Sequence, residues 1–192
     1  RELVIEAIID SMEPKKKMFA ELDKVCPPDT ILASNSSVLS IIDLAVMTKR
    51  PDKVLGMHFF NPVPTMKLLE LVKTIATSEQ TLKTARAFGD SVGKMVITAP
   101  DKPGFIVNRL LLPFLIDAVR CYEQGLATRE DIDNGLMLGA NHPMGPLTLA
   151  DFVGLDTLYY AAVAMYDDYR DDHFAPPVLL KKIVIAVRLG RN

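Results

Sequence analysis

The chain contains no tryptophan and only two cysteines in 192 residues. Cys26 and Cys121 lie far apart, and neither stands in a C-x-x-C pair or beside a cluster of ligating side chains. That argues against a disulfide framework and against a zinc site, and it points to a reducing compartment. Uninterrupted apolar runs never approach the about 18 residues of a membrane-spanning helix, so no membrane span is expected. No signal peptide is recognisable. Neither sign of charge is in excess: 22 Lys and Arg against 24 Asp and Glu leave a net charge of −2. No basic patch is interleaved with aromatics, so neither nucleic acid nor an anionic membrane is an expected partner. What is present is an ordinary globular composition, 49% hydrophobic and 24% charged, enough for one large domain or two small ones.

Strand-like and helix-like segments alternate up to about residue 100. Leu3 to Ala7 reads as a buried strand. Pro14 suits an early helical position, and Met18, Phe19, Leu22 and Val25 carry a helical spacing through Lys15 to Val25. "TILAS", "KVLGMHFF", "MKLLELV" and "MVITA" read as further strands. Ser40 with Asp43 predicts a capped helix through Thr48. Ser78, with Glu79 in the first turn, predicts another to about Val92, closed by Gly93. The Lys15–Lys17 run reads as a solvated helix face.

Beyond "PDKP" the pattern is helical. "FIVNRLLLPFLIDAVRCYEQG" reads as a long helix with Pro113 inside it and Gly125 past its end. Thr128 with Asp131 opens a helix to Leu138. "GANHPMGP" is a loop, and three helical segments follow to the end of the chain: "LTLADFVG", "LDTLYYAAVAMYDDY" and "APPVLLKKIVIAVRLG". The expectation is an α/β domain with a largely parallel sheet over 1–100, then an all-α domain over 101–192. "RELVIEAIID" enters a strand with no lead-in and "IVIAVRLGRN" stops just after a helix, so the sequence reads as a fragment of a longer chain.

In "GMHFFNPVPTMKLLEL", residues 56–71, two strands flank a proline-rich turn. His58 and Glu70 are equidistant from Pro64, which permits a cross-strand pair if the strands are antiparallel. Glu70 then shares a face with Met66, Leu68 and Val72, among apolar neighbours where a lone carboxylate is costly. A histidine opposite would satisfy it and have its tautomer fixed. Spacing alone does not choose between a working acid–base pair and a structural one.

Three other stretches bear on a possible site. "LASNSSVLS" sets Ser34, Asn35, Ser36 and Ser37 after a strand and before a helix, as substrate contacts or as capping and turn residues. "DKPGFIVNR" sets Asn108 one turn into an apolar helix, where it could instead serve nearby backbone. "NHPMGPLTLADFVGLD" reads as structural, with turn glycines and caps.

Taken together, "ASNSSVLSI", "GMHFFNPVPTMKLLEL", "KPGFIVNRLLLPFL" and "HPMGPLTLADFVGLD" resemble the L-3-hydroxyacyl-CoA dehydrogenases, nearest their bacterial 3-hydroxybutyryl-CoA branch. The resemblance runs the length of the chain, in order. It implies a Rossmann-like cofactor domain, here partial, followed by an all-helical domain that forms a homodimer. It also implies reversible oxidation of a (S)-3-hydroxyacyl-CoA to the 3-ketoacyl-CoA with NAD or NADP, in a bacterial cytoplasm. By motif matching, His58 is the general base and acid, Glu70 its orienting carboxylate, and Ser37 and Asn108 the groups that hydrogen-bond the substrate. The same matching gives Asp10, Lys15, Asn35, Ser37 and Asn61 as cofactor contacts.

There are departures. Where the family reads Ser-Asn-Thr-Ser-Ser, this chain has Ser36 for the threonine and Val38 for the last serine, and Asp10 replaces a common glutamate. The phosphate-cradling G-x-G-x-x-G is nowhere in the sequence. Two other readings therefore stand beside the enzyme. One is a non-catalytic, dimerising acyl-CoA-binding fragment. The other is a related dehydrogenase of free 3-hydroxy acids such as sugar acids.

Overall fold

Five short apolar runs assemble into one sheet whose spatial order is the chain order: β1 (Leu3–Glu6), β2 (Ile31–Ser34), β3 (Val54–Phe59), β4 (Leu68–Lys73) and β5 (Met95–Pro100). The computed structural model describes residues 2–187 and 190. They divide into a sheet unit, Arg1–Ile106, and a helical unit, Val107–Asn192. β1–β2, β2–β3 and β4–β5 are parallel, and β3–β4 is antiparallel. The parallel pairs need crossovers; α1 (Met12–Val25), α2 (Ile42–Ala45) and α3 (Glu79–Ser91) lie in them.

Strand alternation divides the core between the two faces. Leu32, Val54 and Val72 pack with Phe19 of α1, Leu44 of α2 and Phe105. Ile31, Leu55, Met57, Leu69 and Leu71 pack with Ala85 and Phe88 of α3. Gly89 of α3 lets that helix lie close, because a Cβ there would stand 2.6 Å from Val96 Cγ2 and 2.8 Å from Leu69 Cδ2.

Local signals decide α3 as the sequence reading expects. Ser78 Oγ accepts from Thr81 N at 3.1 Å, and Gly93 follows the helix at φ 74°. Two expectations fail. The helix predicted from Ser40 to Thr48 is four residues, Ile42–Ala45, and no side chain at its N-cap Ile41 caps it. Asp101 does so instead: its Oδ1 accepts from Ile41 N at 2.9 Å and its Oδ2 from Ile42 N at 2.7 Å. A two-oxygen carboxylate satisfies two orphan amides where a serine hydroxyl satisfies one. Burial pushes the Asp101 carboxyl above its ordinary range, against the lowering pull of those amides. The second failure is the lysine run. Lys15 is not solvated; it lies one turn from Phe19 on the buried face of α1 and is 1% exposed.

The helical unit comprises α4 (Val107–Glu123, with Pro113 inside), α5 (Arg129–Asn134), α6 (Pro146–Val153), α7 (Leu155–Tyr169) and α8 (Val178–Ile185). Leu115, Ile116, Leu158, Met165 and Leu180 are its buried centre. Thr128 Oγ1 caps α5 by accepting from Asp131 N at 3.1 Å. The α-helix expected to reach Leu138 ends at Asn134 and continues as a π-helical turn, Gly135–Gly139. Glycines, weak α formers, bracket that change. α8 starts only after Pro176 and Pro177, which disfavour helix in the residue before each; the end of the predicted helix, Arg188 and Leu189, lies outside the described residues. Among the described residues no single helix is long and apolar enough to cross a membrane.

Candidate active site

β3 and β4 meet in the register that the sequence spacing predicts, with Gly56 opposite Val72 and His58 opposite Glu70. Both side chains fall on the face of Val54 and Val72, because strand residues two apart share a face. His58 Nδ1 lies 2.7 Å from Glu70 Oε2, and the side chains are 6% and 0% exposed. An ionised carboxylate can only accept, so a neutral imidazole held by it has its proton on Nδ1 and keeps the lone pair of Nε2. Glu70 Oε1 accepts from Ile106 N at 3.2 Å, so both carboxylate oxygens are engaged. Without water to compete, these bonds hold the imidazole more firmly than they would at the surface.

Two aromatic rings confine His58. Phe60 lies with its centroid 4.4 Å from the imidazole and Phe105 at 5.7 Å. Phe105 is nearly fully buried and keeps a positive φ of 48°, rare for a residue with a side chain, directly after Gly104 at 78°. Sequence reading did not single out these rings. "HFF" and "PGF" were the available signals, but neither tells where a ring lands.

Of the remaining candidates, Asp10, Asn35, Ser37 and Asn61 lie where β1, β2 and β3 end, the edge at which open parallel sheets bind ligands. Asp10 follows β1, and its Oδ2 accepts from Ser37 N at 3.2 Å and Ser37 Oγ at 3.1 Å. Asn35 Oδ1 accepts from Phe59 N at 2.8 Å, tying the loop after β2 to the residue next to His58. Asn61 is exposed, at the cis Asn61–Pro62 bond in the β3–β4 turn. Lys15 Nζ points inward to Glu6 Oε1 at 2.7 Å, with Asp10 Oδ1 at 3.7 Å. Asn108 is the second residue of α4, half-buried, in the helical unit. Glu6 was missed. Its signal was an acid on the inward side of an otherwise apolar strand.

The arrangement can move a proton at His58 Nε2, with the charge of the resulting imidazolium met by Glu70. Asp10, Asn35, Ser37 and Asn61 offer polar groups at the strand ends, which suits the sugar and amide groups of a dinucleotide.

Two family models match the chain in succession. The first, described as 3-hydroxyacyl-CoA dehydrogenase, NAD binding domain, covers residues 1–102. The second, described as 3-hydroxyacyl-CoA dehydrogenase, C-terminal domain, covers residues 104–192. A 3-hydroxybutyryl-CoA dehydrogenase of Mycobacterium tuberculosis is 47% identical over 194 residues, which take in 100% of this chain and 68% of that protein. The mitochondrial hydroxyacyl-coenzyme A dehydrogenase of Sus scrofa is also 47% identical, over 100% of this chain and 61% of its own length. Among solved structures, M. tuberculosis FadB2 superposes with a TM-score of 0.97 at 47% identity, covering 100% of this chain and 68% of that one. The (S)-3-hydroxybutyryl-CoA dehydrogenase PaaH1 of Ralstonia eutropha does so with 0.95 at 42% identity, covering 99% and 67%.

Proposed function

The chain belongs to the 3-hydroxyacyl-CoA dehydrogenase family, and from that premise we propose that it interconverts (S)-3-hydroxybutyryl-CoA and acetoacetyl-CoA with His58 as the general base and acid. The observation that carries the reading is the buried His58–Glu70 pair, with His58 Nδ1 2.7 Å from Glu70 Oε2. When bound, NAD+ would supply the hydride acceptor for oxidation and NADH the hydride donor for reduction. In oxidation His58 Nε2 takes the proton of the 3-hydroxyl, and in reduction it returns it. Glu70 keeps the imidazole in the Nδ1–H tautomer and offsets its positive charge after protonation. By motif matching, Ser37 hydrogen-bonds the oxygen whose charge changes, or the thioester carbonyl, and Asn108 is a further substrate contact. Asp10, Asn35, Ser37 and Asn61 hold the dinucleotide. Lys15 belongs to that set by motif matching, but its ammonium is engaged inside the fold.

The full-length protein should oxidise NADH in the presence of acetoacetyl-CoA, and His58→Gln should lower kcat about 10²- to 10⁴-fold. A folded full-length protein without turnover would sink the reading in favour of a binding fragment. Preference for free 3-hydroxy acids over the CoA thioester would redirect it to that substrate class.

The same reading makes the protein a homodimer through its helical unit and locates it in a bacterial cytoplasm. Support for the dimer is the set of large apolar side chains left exposed there, including Leu110, Leu126, Leu138, Phe152 and Tyr160. Sedimentation should give twice the chain mass, and a monomer at assay concentration removes the dimer from the proposal. Both cysteines are free thiols, in keeping with a reducing compartment.

A further inference from the structure

The turn between β3 and β4 has no buried anchor of its own. Asn61 to Lys67 are all exposed, so ordering them costs backbone entropy that apolar burial does not offset. Polar contacts hold the turn instead. Pro62 O accepts from Thr65 N at 3.1 Å, from Met66 N at 3.0 Å and from Thr65 Oγ1 at 3.1 Å. Those bonds make Pro62 to Met66 one small unit, but they do not attach it to the rest of the fold.

Lys94 makes an attachment. Its Nζ donates to Val63 O at 2.5 Å and to Met66 O at 2.7 Å. A surface lysine is ordinarily solvated, and one exposed hydrogen bond contributes little. Here a single ammonium bridges two carbonyls, and its stem starts from fixed backbone. Lys94 N donates to Gly89 O of α3 at 3.0 Å, and the next amide, Met95 N, donates to Lys67 O at 2.7 Å.

Phe60 and Asn61 lie between two points that are thereby held. On one side Phe59 N donates to Asn35 Oδ1 at 2.8 Å. On the other stands the Pro62–Met66 unit with Lys94 across it. The Phe60 ring lies 4.4 Å from the His58 imidazole, and Asn61 is among the residues assigned above to the dinucleotide.

We propose that Lys94 is a positioning residue: by bridging Val63 O and Met66 O it holds the β3–β4 turn, and through the turn it sets Asn61 for the dinucleotide and the Phe60 ring beside His58. The proposal rests on the reading above for what Asn61 binds, but not for how the turn is held.

The test compares the full-length parent with Lys94→Met and Lys94→Arg. Methionine keeps an apolar stem and removes the donors; arginine keeps a cation able to donate to two carbonyls. Lys94→Met should weaken NADH binding about tenfold in a fluorescence titration and raise the KM for NADH alike, because a freed turn must be ordered when the dinucleotide binds. Its kcat should fall no more than about threefold, since the lost contact holds a binding group and not the His58–Glu70 pair. Its Tm should stay within about 3 °C of the parent, because the change is near the surface. Lys94→Arg should bring NADH binding back to within about threefold of the parent. Amide exchange at Thr65 and Met66 should quicken about tenfold in Lys94→Met. Parental NADH binding in that variant overturns the proposal, and so does unchanged exchange at Thr65 and Met66. Binding that merely follows a fall in Tm through both variants makes Lys94 structural and overturns it as well. A parent that binds NADH but turns over no acyl-CoA substrate removes the catalytic reading, and the titration and exchange still decide the role of Lys94. A parent that does not bind NADH removes the assignment of Asn61 and the proposal with it.

Discussion

In the sheet unit the buried ionisable side chains Glu6, Lys15, His58 and Glu70 lie in pairs on one face of the sheet. In the helical unit the buried charged residue among those described is Asp133, and its partners are of another kind. Its Oδ1 accepts from Leu147 N at 2.8 Å, and its Oδ2 from Thr148 N at 3.0 Å and Thr148 Oγ1 at 2.6 Å. Those are the orphan amides at the start of α6, so Asp133 caps a helix from outside it. The difference is informative. A buried acid that faces backbone amides is satisfied by the fold and has nothing left to offer. A buried acid that faces a titratable partner sets that partner's proton. Burial of charge is therefore not by itself a mark of chemistry, and the identity of the partner decides.

The comparison can be broken from the sheet side first. Glu70→Gln should lower kcat about 10²-fold or more, since the neutral amide neither fixes the Nδ1–H tautomer as firmly nor offsets the imidazolium. Near-parental kcat in that variant would put Glu70 in the same class as Asp133. From the helical side the expected loss is in stability. A Cβ at Gly145 would stand 2.3 Å from the Asp133 Cβ and Cγ, which are pinned by their own hydrogen bonds. Gly145→Ala should cost about 1–3 kcal/mol in urea unfolding, and a neutral result would show that Asp133 can give way.

The smallest effect belongs to Asp101, an acid of the capping kind that lies within the sheet unit. Asp101→Asn leaves one of the Ile41 and Ile42 amides without a full acceptor and should cost about 1 kcal/mol at neutral pH. Its pH signature runs opposite to that of a paired acid. Burial raises the folded value of Asp101 above the ordinary 3.8. The pH-linked part of its contribution is then complete below 3.8 and is lost as pH rises through the raised value, while the two amide caps remain. The variant should lack that part of the pH dependence, so identical stability–pH curves for parent and Asp101→Asn would remove the assignment.

The helix starts at Ser78 and Thr128 were legible because cap and amide are three residues apart and need no other part of the fold. The pairing of His58 with Glu70 was legible for a related reason. The turn fixes the register, and the two-residue period of a strand fixes the face. Ser40 misled because a local cap was available but a distant carboxylate from Asp101 satisfied both amides better. The Lys15–Lys17 run misled because helical charge clusters are solvated by default, and an inward partner 9 residues away is invisible in the pattern of α1.

The order of strands and helices, the change to an all-helical second half, the cross-strand histidine and glutamate, and the family motifs were all determined by the amino-acid sequence alone. Each rests on periodicity, on neighbours a few residues apart, or on motif likeness. Tertiary structure alone decided that Lys15 is buried against Glu6, that Asp10 holds Ser37, that Phe60 and Phe105 confine His58, and that Asp101 and Asp133 cap helices in which they do not lie. Each of these depends on where a polar or aromatic group finds itself out of water, and that is set only when segments distant in sequence pack together.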